Sequence, residues 1–280
     1  MTSIASAPAS SGNLGPGFDT LALALDIRCT VRASVADALT VEEGSGRQSL
    51  HEGDMIARAV LTAVGRPVHL EIQNEVPRAR GLGSSSAVTA AAAAAAMREI
   101  IGEVDRNRVY EIVCELEGHG DNAAAAVYGG LVAVADGRSI SLPLSDSWRV
   151  VMAVADTKLH TAEARAVLDD EVARVAVVRN LGRLAFLLDG LRTGDSLTLG
   201  RATGDELHEL PRAVLSPVSG ELIAVALDAG AAHAAWSGAG PSVIAFTGSG
   251  ELTAVADALG AHLGDRGTVL TPAIDTVGLR

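Results

Sequence analysis

Residues 77–100 read PRARGLGSSSAVTAAAAAAAMREI. Two glycines and three consecutive serines open a run of small residues that ends at Met97. Such a stretch gives a core little bulk, so it suits a place where backbone approaches something other than protein. Gly81, Leu82, Gly83, Ser84, Ser85 and Ser86 stand directly before a segment of high helix propensity. A helix N-terminus presents unpaired N–H groups and the positive end of the peptide dipole, and both attract anions. Glycine lets backbone close on a phosphate with no Cβ in the way. A serine hydroxyl can bond a phosphate oxygen or ligate Mg2+. The same letters also describe a plain serine-capped helix, and composition leaves both readings open.

Three other stretches carry chemistry. Residues 8–19, PASSGNLGPGFD, set small and turn-forming residues between a short strand and an apolar run. Asn13 and Asp19 there are short polar groups on a tight scaffold, suited to a small hydroxylated substrate; an ordinary turn is the alternative. The cluster Glu117-Gly118-His119-Gly120-Asp121-Asn122 holds several ligand-capable side chains. One histidine with two carboxylates lacks the spacing of a zinc site. A carboxylate turned toward Mg2+ and phosphates fits better, because Mg2+ takes one or two carboxylates plus phosphate oxygens. Residues 236–242, WSGAGPS, read by composition as a glycine-rich hairpin.

The elements that must position these groups alternate strand and helix. Residues 27–33 and 68–72 alternate apolar with polar and predict half-buried strands. Between them, 55–64 has helical spacing, as do 85–101 and 107–116. Strands are predicted at 131–135 and 148–155, the latter nearly all apolar and therefore central. The second half carries helical patterns at 161–168, 172–192, 195–209 and 219–229. Short strands follow at 232–236, 241–246 and 268–273. Ser145-Asp146-Ser147 is the best candidate boundary, giving lobes 1–147 and 148–280. Strands and helices mix throughout, which is an α+β or α/β chain in two lobes.

The 280 residues suffice for a sizeable core, which must be aliphatic because aromatics are only 2%. No apolar run reaches the roughly 20 residues a membrane span needs, and Met1-Thr2-Ser3-Ile4 shows no leader character. Cys29 and Cys114 are too few for a disulfide framework, which points to a reducing cytoplasm. The net charge of -12, with no basic patch, argues against nucleic acid. The single lysine, Lys158, has no glycine near it, so a Walker A loop is excluded. Read singly, Arg165 and Arg212 are solvated helix arginines, and His119 could equally be structural. The remaining histidines, His208 among them, read as structural or surface.

The order of these stretches resembles the GHMP kinases. That family has an N-terminal motif, a central P-x-x-x-G-L-G-S-S phosphate loop and a C-terminal glycine-rich motif. They correspond here to Pro8–Asp19, Pro77–Ala87 and Ser237–Ser242. Within the family, PASSGNLGPGFDTL, EGHGDNAAAAVYGG, HTAEARAVL and LPRAVLSP are similar to segments of the homoserine kinases. Gly12 stands where alanine is usual, and Ala125 replaces a proline.

The resemblance implies an α+β, two-lobed GHMP kinase fold. Its N-terminal lobe is ribosomal-protein-S5-domain-2-like, and its C-terminal lobe is a ferredoxin-like α/β unit. It implies a cytoplasmic homodimer that transfers a phosphoryl group from ATP, with Mg2+, to L-homoserine in threonine biosynthesis. Carried over, Pro77, Arg80 and Gly81–Ser86 bind the ATP phosphates, with Asp54 near the adenine. Ser85 and Glu117 hold Mg2+, with Glu115 as a neighbouring alternative to Glu117. Asn13, Asp19, His119, Arg165 and Arg212 hold the amino acid, and Asn122 and Thr161 lie by the reacting hydroxyl. Guanidinium pairs a carboxylate bidentately, and Asp19 suits an ammonium. Asp54 stands where the family has asparagine, which leaves nucleotide preference open. An acceptor such as shikimate, mevalonate or a sugar, or a silent binding protein of the same fold, are the alternatives.

Overall fold

The computed structural model describes residues 3–44 and 46–280; Met1-Thr2 of the leader reading lie outside them. Ser3–Gly12 (β1) runs antiparallel along Leu21–Val35 (β2), from Ser3 opposite Ala33 to Gly12 opposite Ala22. Thr40–Glu43 (β3) and Gly46–Ser49 (β4) form a hairpin, and Met55–Val64 (α1) leads to Val68–Asn74 (β5). Then come Ser84–Ile100 (α2), Arg106–Glu117 (α3), Asp121–Tyr128 (α4), Leu131–Ala135 (β6) and Arg138–Leu142 (β7). Among the described residues these strands form one sheet in the order β4-β3-β5-β2-β6-β7, with β1 on the other edge of β2. Strand β5 pairs the C-terminal half of β2, and β6 pairs its first residues.

Helix α2 explains the alanine run. Every residue from Ser86 to Met97 is buried, and the helix packs on β1, β2 and α1. Alanine lets the helix axis lie close to the sheet, and that brings its N-terminus beside the end of β1. Side-chain bulk in the core comes instead from Leu21, Leu23, Leu25, Leu70 and Ile112.

The second sheet is built from Arg149–Ala155 (β8), after which come Thr161–Ala166 (α5), Arg174–Thr193 (α6), Ser196–Gly200 (α7), Glu209–Arg212 (α8) and Pro217–Asp228 (α9). His233–Trp236 (β9), Val243–Thr247 (β10), Leu252–Leu263 (α10) and Gly267–Leu270 (β11) complete it. The order β11-β8-β10-β9, all antiparallel, is 4-1-3-2 in chain order, the ferredoxin-like arrangement. Residues 272–280 then return to the first sheet. Ser6 and Arg280 exchange backbone hydrogen bonds of 3.0 and 2.9 Å, and Arg28 pairs with Asp275.

Two expectations change. The pattern at 195–209 is not one helix. Asp205 Oδ1 accepts the backbone N–H groups of Leu207, His208 and Glu209 (2.9, 2.5 and 3.1 Å), so the chain turns there before α8 begins. Helix α10 and strands β3, β4 and β7 were not read from the sequence. No helix among the described residues is long and apolar enough to cross a membrane.

Candidate active site

A cleft of about 560 Å³ opens where the N-terminus of α2 meets the β1–β2 loop, the α3–α4 junction, α5 and the β9–β10 loop. Helix α2 starts at Ser84 with Gly83 as its N-cap and no side-chain cap, so its first-turn N–H groups lack intrahelical acceptors. Gly81 and Gly83 both have positive φ (77° and 63°). A Cβ on Gly81 would collide with the Ser237 carbonyl, and one on Gly83 with Ser10 Oγ. The glycines are therefore required by close packing of three loops. Ser237 Oγ donates to the Gly81 carbonyl (2.7 Å), and Gly238 N–H donates to the Gly12 carbonyl (2.9 Å). The WSGAGPS stretch is a hairpin loop as its composition suggested, and it also clamps the other two glycine-rich stretches together.

The three serines separate in role. Ser84 donates to the Val76 carbonyl (3.3 Å) and accepts from Asn74 Nδ2 (3.1 Å), which fixes the loop from behind. Ser85 is exposed into the cleft, its hydroxyl against Met55 Sδ (3.2 Å). Ser86 donates to Glu117 Oε2. Glu117 lines the cleft and Glu115 is exposed elsewhere, which separates the two glutamates. Burial raises the Glu117 carboxyl above its ordinary value, and the Ser86 hydroxyl opposes this. His119 Nδ1 meets Asp121 Oδ1 at 2.9 Å, and that hydrogen bond raises the imidazole despite burial. Asn122 accepts from Ser10 Oγ (2.8 Å), leaving its NH₂ for the cleft.

At the far end, Arg165 makes two parallel hydrogen bonds to Asp19 (2.9 and 2.7 Å), and this pairing raises its already high pKa. Arg212 is buried, donating to the Ala164 carbonyl (2.9 Å) and to His208 Nδ1 (3.1 Å). Burial lowers it to about 10, which leaves it cationic at neutral pH. Both guanidiniums sit over the ring of Phe18, at 5.8 and 5.2 Å. One end of the cleft is thus an anion cradle beside a carboxylate. The other holds two cations and an anion.

The chain matches the GHMP kinase N-terminal domain over residues 52–130 and the GHMP kinase C-terminal domain over 187–265. It is 38% identical to the homoserine kinase of Thermus thermophilus over 272 residues, covering 94% of this chain and 93% of that one. It is 37% identical to the homoserine kinase of Moorella thermoacetica over 260 residues, 85% of each. The chain belongs to the GHMP kinases. A crystal structure of homoserine kinase from Cytophaga hutchinsonii superposes with a TM-score of 0.89 at 24% identity, covering 100% of this chain and 96% of that one, and shares the fold.

As a GHMP kinase it uses ATP and a small-molecule acceptor. The cleft gathers Asn13, Asp19, Asp54, Gly81 to Ser86, Glu117, His119, Asn122, Thr161, Arg165 and Arg212 on one wall or another. Two expected phosphate-loop contacts fall elsewhere. Pro77 is not on the cleft wall, and Arg80 is spent on the carbonyls of Ala155 and Asp156 (2.8 and 2.9 Å). Asn13 lines the cleft, but its amide already donates to the Gly238 carbonyl (2.8 Å) and accepts Asp19 N–H (3.1 Å). Asp54 bonds His51 N–H (2.7 Å) at the start of α1. The sequence reading missed Phe18 and His208. Phe18 lies inside the first motif, in a chain with three phenylalanines, and that scarcity was the available clue.

Proposed function

We propose that this GHMP kinase transfers the γ-phosphoryl of ATP to the side-chain hydroxyl of L-homoserine, giving O-phospho-L-homoserine on the route to threonine. One observation carries the reading: the bidentate Arg165–Asp19 pair, with Arg212 beside it, shares a cleft with the α2 phosphate loop. An amino acid brings a carboxylate and an ammonium together, and this end supplies partners for both. A sugar has no use for two arginines, and shikimate or mevalonate has none for Asp19.

The loop N–H groups of Gly81–Ser86 hold the β- and γ-phosphates at the positive end of α2. Asp54 marks the nucleoside side, where it can accept from an adenine amino group but cannot donate to a ring nitrogen. The donor set of Ser85, Ser86 and Glu117, one carboxylate with hydroxyls beside a phosphate cradle, fits Mg2+. Mg2+ bound there neutralises charge on the transferred phosphoryl. His119 and Asn13 brace the amino-acid end, and Asn122 and Thr161 orient the acceptor hydroxyl. No side chain is assigned as a base, because Asp121 is engaged by His119. Catalysis is then positioning plus electrostatic stabilisation. The lobes divide at 147/148, and the protein acts as a cytoplasmic homodimer.

The test is ADP release from Mg2+-ATP with L-homoserine, L-serine, shikimate, mevalonate, galactose or no acceptor. Turnover confined to L-homoserine is expected. Turnover on another acceptor only would refute the substrate while leaving the kinase intact.

A further inference from the structure

We propose that His208 is a positioning residue that sets Arg212, and with it the carboxylate end of the cleft, in a single arrangement. The inference rests on the reading of Arg212 as a partner of the acceptor's carboxylate.

His208 is fully buried and sits one turn before Arg212. Its Nε2 is 2.9 Å from the Gly15 carbonyl, and its Nδ1 is 3.1 Å from Arg212 Nη1. A carbonyl only accepts and a guanidinium only donates. So Nε2 carries the proton and Nδ1 is the acceptor; no other tautomer, and no doubly protonated ring, satisfies both partners. The ring also stacks on Phe18, with centroids 5.0 Å apart and 22° between planes. His208 thereby ties the β1–β2 loop, which carries Asp19, to α8, which carries Arg212.

The consequence falls on the guanidinium. Its Nε is spent on the Ala164 carbonyl and its Nη1 on His208 and the Gly238 carbonyl (3.4 Å). Its Nη2 has no protein partner among the described residues and is not sealed from the cleft. With every other donor pinned, Nη2 is the edge presented to a ligand. Burial, opposed by Asp205 at 3.7 Å, depresses the imidazole to about 4, so the neutral ring persists across the working pH range.

Steady-state kinetics on the full chain tests this with three variants. His208→Phe keeps the stacking and removes both hydrogen bonds. His208→Asn keeps an acceptor near the Nδ1 position, and His208→Gln keeps a donor near Nε2. His208→Phe is expected to raise the KM for L-homoserine roughly tenfold or more, as for a lost hydrogen bond to a charged group, with the KM for ATP unchanged. His208→Asn should recover most of that loss and His208→Gln little. A KM within twofold of wild type in a folded His208→Phe, an equal rise in the KM for ATP, or no recovery by His208→Asn would each overturn the proposal. An independent reading is the imidazole ¹⁵N spectrum of the wild-type protein. It should show the Nε2–H tautomer from pH 6 to 8; an Nδ1–H ring or a titration near 6.5 overturns the proposal whatever the acceptor. If the wild type releases no ADP with L-homoserine, the substrate assignment falls and the tautomer spectrum still decides the role of His208.

Discussion

Arg165 and Asp19, far apart in the chain, share two parallel hydrogen bonds of 2.9 and 2.7 Å. The β1–β2 loop that carries Asp19 belongs to the first sheet and helix α5 follows β8 of the second, so this pair joins the two halves of the cleft. Each group satisfies the other, and a ligand with both an ammonium and a carboxylate can take over both halves.

Arg165→Ala should therefore lower kcat/KM for L-homoserine about a hundredfold or more, since it removes one charge of a facing pair and leaves Asp19 alone. Arg165→Lys should recover little, because a point charge cannot reproduce the planar fork. Initial rates across a homoserine series would show this. An Arg165→Ala enzyme with wild-type kcat/KM would remove the pair from substrate binding.

Gly81→Ala should cost ATP binding more than tenfold. The left-handed backbone alone disfavours alanine by about 1–2 kcal/mol, and its Cβ would strike the Ser237 carbonyl, which is backbone and cannot rotate away. Gly220→Ala is the control, since a Cβ there meets nothing within 4 Å, and it should be neutral or slightly stabilising in α9. Titration with a non-hydrolysable ATP analogue distinguishes the two.

Glu117→Gln should raise the free Mg2+ needed for half-maximal rate and cut kcat roughly a hundredfold, the scale for losing one preorganised charge partner. Chelation by EDTA should abolish turnover in wild type. An unchanged Mg2+ dependence in Glu117→Gln would place the ion on other ligands.

Buried titratable groups should make stability depend on pH, in opposing directions. Glu209, whose Oε1 accepts Trp236 N–H at 2.8 Å, is raised to about 8 by burial. The native chain then holds a proton that the unfolded chain has released, from the ordinary carboxyl range up to about 8, and stability falls as pH rises through that window. His208 and His233 are each depressed to about 4 by burial. Below about 6.5 the unfolded chain takes up protons that these two native histidines refuse, a contribution that falls as pH falls and opposes that of Glu209. Glu209→Gln keeps the acceptor but cannot ionise. Between pH 6.5 and 8 it should remove about 2 kcal/mol of pH-dependent loss relative to wild type. Parallel denaturant melts at the two values measure it; identical pH slopes in both proteins would contradict the assignment.

What was legible in the sequence was local. Backbone choices depend on neighbouring residues, so the glycines and serines before the alanine run announced a helix N-terminus, and α2 begins there at Ser84. The alternation at 27–33 and 68–72 likewise announced strands that the structure contains within β2 and β5. The order of the glycine-rich stretches was enough to suggest the family. The break in 195–209 was less legible: α7 ends at Gly200, and the turn into α8 is made by a carboxylate, Asp205, gathering three N–H groups.

The tertiary structure decided partnership and burial. Which serine meets Glu117 depends on where α3 ends against α2, and it is Ser86. Arg212 reads as a solvated helix residue until α5, the β9–β10 loop and the β1–β2 loop close over it; then it is 2% exposed. Arg80 reads as a phosphate ligand until β8 ends beside it and takes its donors. Propensity and motif are written in adjacent residues, whereas desolvation and hydrogen-bond pairing arise between residues that only sheet pairing brings together.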